Sequence, residues 1–479
     1  MNNLLAFNSK IKKVANNRIC FYATWFLNIL FFILNVFIDG ISLVVFPLLI
    51  MDIIYALFNV NKLKALIILI PLSGISNFNV FSFNVNVLHI VVIVIFCVFI
   101  FRIINSLRKH LFDTKILLYS IPFFLVILIK IINYFTGMIF FSNNDDFVGL
   151  VRDCLYFVLP FAFLVTNSSF AKKALYTDFL ITFTINSIVA LVLFKFFPDI
   201  LNSVESINDT LEQYTRFKGF EWDQNYFSLY AIFFDLIFLC KYFSSLKKDY
   251  LIIIFLVLLN AITILSESKM FIVSLILIIV LTIRRATKRS LSDFLVAIAI
   301  VGMASCLILF VFSGTIINFL ESRIFESGAA NFSNDFLSKL TTGRTVIFSD
   351  YSEYVMSKPW IFLFGLNFNN YLIDSYAIHN TFGYFVFFYG FPLACLIFAI
   401  YKKWCFDKIK THSLFNNIII LIIFFICLSS LNLYFSHNGF SLFFIFIASL
   451  SKDDFVDFDR NKNNHIANID TNNICRIDV

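Results

Sequence analysis

The sequence predicts an all-α polytopic membrane protein of about twelve to fourteen transmembrane helices with one long outer loop. Three observations carry that expectation. Of the 479 residues 60% are hydrophobic and only 14% charged, and the mean hydropathy is +0.87, outside the range of soluble domains. Apolar runs recur from Cys20 to Leu450, long enough for helices that satisfy their own backbone in lipid. The basic residues fall on alternate connections, as the positive-inside rule requires of a cytoplasmic face.

The expected spans are 20–38, 41–60, 65–81, 87–104, 116–135, 149–167, 176–197, 226–241, 250–266, 269–283, 291–313, 382–401, 415–432 and 437–450. The pairs 250–283 and 415–450 are tight for two crossings each, so either can be re-entrant. Lys10, Lys12, Lys13 and Arg18 precede the first span, which reads as an anchor and not a cleaved signal. Strict alternation places 10–18, 62–64, 102–115, 172–173, 241–248, 284–289, 402–410 and the tail on one side, with all but ten of the 37 Lys and Arg. Both termini are therefore expected inside, and 136–148, 198–225 and 314–381 outside. The chain divides into a membrane domain, 1–450, and a polar cytoplasmic tail, 451–479.

The net charge of +7 does not point to nucleic acid, because most of it forms a cytoplasmic rim that meets anionic lipid headgroups. The nine cysteines show neither metal-ligand spacing nor a paired framework and read as small core residues. No internal repeat is visible.

The ten basic residues left outside or within spans need a reason. They are Lys130, Arg152, Lys195, Arg216, Lys218, Lys269, Arg323, Lys339, Arg344 and Lys358. Near hydrocarbon a charge costs at least about 2.5 kcal/mol unless it finds a partner or a wet cavity. For Arg152 a local pair with Asp153 or a snorkelling side chain is one account, and that account is favoured for Lys130 and Lys195. The other account is an outward-facing basic cavity for an anionic, phosphate-like group. In the outer segment Arg216-Phe-Lys218-Gly219-Phe-Glu-Trp-Asp223-Gln-Asn225, cations stand with aromatics and amides just before a span. Such a surface suits sugars, although an interfacial aromatic belt explains the aromatics equally well. The stretch from Gly343 to Gly390 holds Gly343-Arg344, Lys358-Pro359, Gly365 and His379-Asn380, in and beyond the long outer loop. A loop of that length is expected to do chemistry or recognition.

In four places the chain resembles the O-antigen polymerase and ligase superfamily. Arg216 to Asn225 resembles its Arg-x-x-Gly and Asp/Asn-Pro-Asn before a span, with Gln224 where Pro is common. Leu265-Ser-Glu-Ser-Lys269 resembles its Ser-Arg turn, with Lys for Arg. Gly343-Arg344 resembles its Gly-Arg motif, and His379-Asn380 with Gly390 resembles the His-Asn opening the next span. The resemblance spans about 150 to 400. It implies a GT-C-like fold in a bacterial inner membrane and metal-independent, inverting transfer from a glycan on undecaprenyl diphosphate, with no cofactor. A chain-length regulator and a flippase are the implied partners, beside membrane lipid.

On that resemblance Arg344, Arg216 and Lys269 are the expected catalytic cations around the diphosphate, and His379 activates the acceptor hydroxyl or positions the diphosphate. Arg152, Lys218, Asp223, Asn225 and Asn380 are the expected substrate-binding residues. Lys269 supplies charge without the forked contact of a guanidinium. His437-Asn438 repeats the His-Asn dipeptide, so position in the long loop, not the dipeptide, singles out His379; Asp223, Glu267 and Asp374 are rival bases. Loosened Pro and Arg positions and high aromatic content favour a polymerase over a ligase. A lipid-linked oligosaccharide flippase is the rival from another class, disfavoured by the missing repeats and the one-sided loop.

Overall fold

The computed structural model describes 77–80, 83–86, 172–197, 217–219, 224–242, 250–287, 344–357, 380–402 and 413–430, with scattered positions between 27 and 154 and between 359 and 365. This part is helical apart from one short hairpin. Strands β1 (Asn77–Val80) and β2 (Phe83–Asn86) pair antiparallel, Asn77 opposite Asn86 and Val80 opposite Phe83. The span expected at 65–81 therefore ends in a strand. The sequence there alternates Asn with Phe or Val, a period of two that suits a strand and not a helix.

Four helices follow in sequence: α1 (Lys172–Phe196), α2 (Gln224–Ile237), α3 (Tyr250–Ile264) and α4 (Lys269–Thr287). Their bounds lie within a few residues of the expected spans. Helix α2 is central, packed by α1, α3, α4 and a later helix, and every residue from Tyr226 to Ile237 is buried. It widens into a π-helical turn at Phe238–Tyr242. Aromatic pairs fix the direction of α1 against α2. Tyr176 donates its hydroxyl to the Phe234 carbonyl (3.0 Å), the Phe183 ring stacks on Phe227 (5.6 Å), and Phe194 meets Phe217 before α2 begins. The order reverses along the two chains, so they run antiparallel. Each such ring pair adds about 0.5–1.5 kcal/mol beyond area burial.

Helix α3 is an unbroken apolar run that ends in i→i+3 hydrogen bonds, Ser266 N–H to the Thr263 carbonyl (3.0 Å) and Glu267 N–H to the Ile264 carbonyl (3.1 Å). Ser268 then caps α4, its hydroxyl accepting from the Phe271 N–H (3.4 Å). At the far end of α4, Arg284 and Arg285 complement the helix dipole, and the Arg284 guanidinium lies 3.9 Å from the centre of the Phe415 ring.

Four further helices complete the described part: α5 (Arg344–Ser357), α6 (Thr381–Tyr389), α7 (Phe391–Tyr401) and α8 (Leu414–Ser430). The loop expected over 314–381 thus contains a helix that begins at Arg344. Tyr351 of α5 is buried against Phe387 of α6, ring centres 5.6 Å apart. Helix α8 joins both halves, through Phe424 against Phe233 of α2 (5.5 Å) and Phe425 against Phe382 of α6 (5.6 Å).

The single span expected at 382–401 is instead two helices broken at Gly390, whose φ of 80° and ψ of 157° suit glycine. Phe382 and Phe398 are in ring contact at 5.0 Å, and Phe385 also reaches Phe398. In a continuous helix those two positions would be roughly 24 Å apart. The chain folds back on itself, and Pro392 at the start of α7 prevents the helix from running through.

On length and composition one helical window among the described residues, Phe179–Phe196, suffices to cross a membrane; Gln224–Cys240, Tyr250–Ile264 and Leu414–Ser430 are apolar but shorter.

Candidate functional site

Two segments separated by more than forty residues meet at one end of the α2–α3–α4 group. The Phe217 N–H donates to the Leu265 carbonyl (3.3 Å), tying Phe217–Gly219 to the α3–α4 turn. Phe217 is buried, with its ring edge-on to Phe227 (5.3 Å). Gly219 takes φ 63°, and a methyl group there would stand 2.8 Å from Phe227 Cδ2. Glycine is required on both counts.

The turn itself is held by serines. Ser268 Oγ donates to Asn225 Oδ1 (2.8 Å), so the residue that caps α4 also grips the first turn of α2. Ser228 and Ser266 are in hydroxyl–hydroxyl contact at 2.8 Å, and each also lies near a backbone carbonyl, Ser228 to Gln224 (2.7 Å) and Ser266 to Thr263 (2.6 Å). Each hydroxyl has one proton, so one donates across the helices and the other to its own helix. Between the serines, Glu267 adopts φ 52°, and a non-glycine residue held left-handed costs about 1 kcal/mol or more. Such strain persists only where its surroundings over-determine it.

Of the expected site residues, Lys218, Asn225 and Lys269 belong to these joined segments. Lys218 and Lys269 are both half-buried, and Lys269 is the first residue of α4. Lys218 and Lys269 lie at this end together with the carboxylate of Glu267, beside the N-termini of α2 and α4. The oxygen of Asn225 is engaged by Ser268. Arg216 and Asp223 flank these segments but lie outside the described residues, as do Arg152 and His379.

Arg344 opens α5 and Asn380 precedes α6, in a second group of elements. The backbone of Arg344 is described, its side chain is not. Asn380 Oδ1 accepts from the Phe382 N–H (2.9 Å) and the Gly383 N–H (3.2 Å), an N-cap contributing about 1 kcal/mol to helix stability. Its oxygen is therefore committed to the fold. Helices α5 and α6 pack together, and burial raises the Tyr351 phenol above its ordinary value. Among the described residues no three His, Cys, Asp or Glu side chains gather as metal ligands.

Beside the hairpin at Asn77–Asn86 and the helix that begins at Arg344, two further features depart from the sequence expectation. One is the fold-back at Gly390, for which Gly390-Phe-Pro392 was the available signal. The other is a buried polar pair: Asn260 Nδ2 donates to Asp235 Oδ1 (3.0 Å) across the α2–α3 interface. A lone Asp inside an apolar run was its signal. Comparisons of the chain with protein-family models, curated proteins and solved structures find no match.

Proposed function

We propose that the chain is a polytopic glycosyltransferase of the bacterial inner membrane that polymerises undecaprenyl-diphosphate-linked repeat units into a surface polysaccharide. The observation that carries this reading is the meeting of Phe217–Gly219, Asn225 and Ser266–Lys269 at one end of three helices. Two of the four motif segments, far apart in sequence, share one place, and each brings a cation there.

The membrane reading is supported by large apolar side chains left exposed while several polar ones are buried. Leu251, Ile254, Ile276 and Phe425 are exposed, whereas Asp235, Asn186, Ser274 and Asn416 are buried. Exposed apolar surface of this extent asks for lipid or a partner.

In the proposed reaction the acceptor hydroxyl attacks the anomeric carbon of the lipid-linked glycan. A carbon–oxygen bond forms to the acceptor as the bond to the diphosphate breaks with inversion. His379 takes the hydroxyl proton, and Lys269, Arg216 and Arg344, with Lys218 beside them, meet the charge that builds on the leaving diphosphate. Fixed cations aimed at developing charge are worth most in a site sheltered from water.

The test is glycan gel analysis of a deletion strain complemented with Lys269→Ala or Lys218→Ala at unchanged protein level. Polymer should fall on the order of 10- to 100-fold for Lys269→Ala and less for Lys218→Ala, with single repeat units still attached to the anchor. Unchanged chain length and amount would remove Lys269 from the site. Loss of every attached unit would identify a ligase instead. The flippase reading draws on the buried Asp235, since an acid inside a bundle suits ion-coupled transport. Repeat-unit transfer by the purified protein, on substrate already facing outward, separates the two.

A further inference from the structure

The α2–α3 interface holds a polar pair that is short of one proton donor. Asp235 is 6% exposed, on a helix buried from Tyr226 onward. Asn260 Nδ2 spends its two hydrogens on Asp235 Oδ1 (3.0 Å) and on its own helix at the Leu256 carbonyl (3.0 Å). Two oxygens remain, Asp235 Oδ2 and Asn260 Oδ1, both buried and without a hydrogen-bond partner among the described residues. An ionised carboxylate can only accept, and so can the amide oxygen. As long as Asp235 carries its charge, the pair has acceptors left over and no donor.

Nothing described neutralises that charge. Among the described side chains, the titratable groups on the elements around α2 are Tyr176 and Lys195 on α1, Tyr226 and Tyr230 on α2 itself, Cys240 in the π turn, Tyr250 on α3, Lys269, Arg284 and Arg285 at the ends of α4, and Cys427 on α8. None is a hydrogen-bond or ion-pair partner of Asp235, whose partner is Asn260. Tyr176 gives its hydroxyl to the Phe234 carbonyl, and Arg284 lies over Phe415. A bare buried carboxylate loses its hydration without compensation, which a protein avoids by pairing the charge or removing it.

We propose that Asp235 is a proton-binding site in which the acid proton is donated to the amide oxygen of Asn260. The two side chains then form a ring of two hydrogen bonds, N–H to carboxyl oxygen and O–H to amide oxygen. One proton supplies the missing donor and removes the charge together.

The position gives the site a consequence. Ser228, in contact with Ser266, lies seven residues before Asp235, on the same stripe of α2. The pair therefore clasps the same two helices whose other end forms the candidate site. The π turn that begins at Phe238 follows directly, and local rewinding of this kind recurs at functional sites. Loss of the proton would leave carboxylate and amide oxygen facing one another and open the clasp. This inference does not depend on the reaction proposed above.

The experiment is infrared spectroscopy of the purified full chain in lipid at pH 7, with aspartate carbons isotopically labelled. A protonated-aspartate carbonyl band is expected, absent from Asp235→Asn and displaced in Asn260→Leu. Asp235→Asn keeps both hydrogen bonds of the ring, because an amide replaces the neutral acid, so its melting temperature should match the parent's. Absence of the band in the unmodified chain overturns the proposal without any variant having to fold. Survival of the band unchanged in Asp235→Asn overturns it equally.

Discussion

Gly219 shows how tightly the candidate site is specified at the scale of one residue. Its left-handed backbone and the 2.8 Å approach of Phe227 Cδ2 are independent reasons against any side chain. The Phe227 ring cannot withdraw, since it is stacked on Phe183 and edge-on to Phe217 and is 1% exposed. Gly219→Ala should therefore destabilise the fold by about 2–3 kcal/mol, from the strained backbone and the overpacked ring together. A lowered melting temperature in detergent would register this, and restoration by Phe227→Leu would trace part of it to the ring. An unchanged melting temperature would mean the segment is free to move off α2. The glycine was visible in the sequence as part of a motif, yet its reason was not. A positive φ depends on what packs beside it, and Phe227 is eight residues away in a different element. The serines of the α3–α4 turn were legible as polar residues between apolar runs. That Ser268 would reach Asn225 was not, because a side-chain partner forty-three residues off leaves no local trace.

Among the elements, α1 to α4 and α8 were readable because apolar length and missing Gly or Pro decide them, and the ends came out within a few residues. The break at Gly390 was lost because apolar length was read straight across Gly390 and Pro392. Residues 382–401 are apolar throughout, and apolarity alone does not say whether a run is straight. Helices of nine and eleven residues lying side by side bury the same surface that one long helix would show to its neighbours. Asn380 caps the first, and the Gly390 N–H and carbonyl serve both, bonding to the Val386 carbonyl and the Ala394 N–H at 3.0 Å each. A fold-back of this kind makes a sharp prediction. Cysteines introduced together at Phe382 and Phe398, in a background with the native cysteines replaced, should crosslink under mild oxidation. In a continuous span, roughly 24 Å apart, they would not. Gly390→Ala in the same background should suppress the crosslink, since φ 80° with ψ 157° costs a non-glycine residue about 1–3 kcal/mol.

For the whole molecule the question is which end of the bundle faces out, and packing answers part of it without counting spans. Helices α1, α2 and α3 alternate in direction, and α4 turns back from α3 through the four-residue link 265–268. Helix α8 starts beside the far end of α4, where Arg284 covers Phe415, and runs toward the level of Phe233 on α2. Its direction is thus fixed by contacts and is not altered by the fold-back that precedes it. One end of the group carries Lys218, Glu267 and Lys269, and the other carries Arg284, Arg285 and Ser413. On the membrane reading proposed above, the second end is the cytoplasmic one, because 284–289 and 402–410 are two of the basic clusters. If that holds, Lys218→Cys should react with a membrane-impermeant maleimide on spheroplasts, and Ser413→Cys only after permeabilisation, both in a background with the native cysteines replaced. Reaction of both from outside would separate two ends that the packing places a helix length apart, and would overturn the membrane reading. Reaction of Ser413→Cys alone would invert the orientation and set Lys218 and Lys269 on the cytoplasmic side. A lipid-diphosphate glycan already delivered to the outer face could not then reach them. The orientation therefore decides whether the joined turn at Ser266–Lys269 can meet its proposed substrate at all.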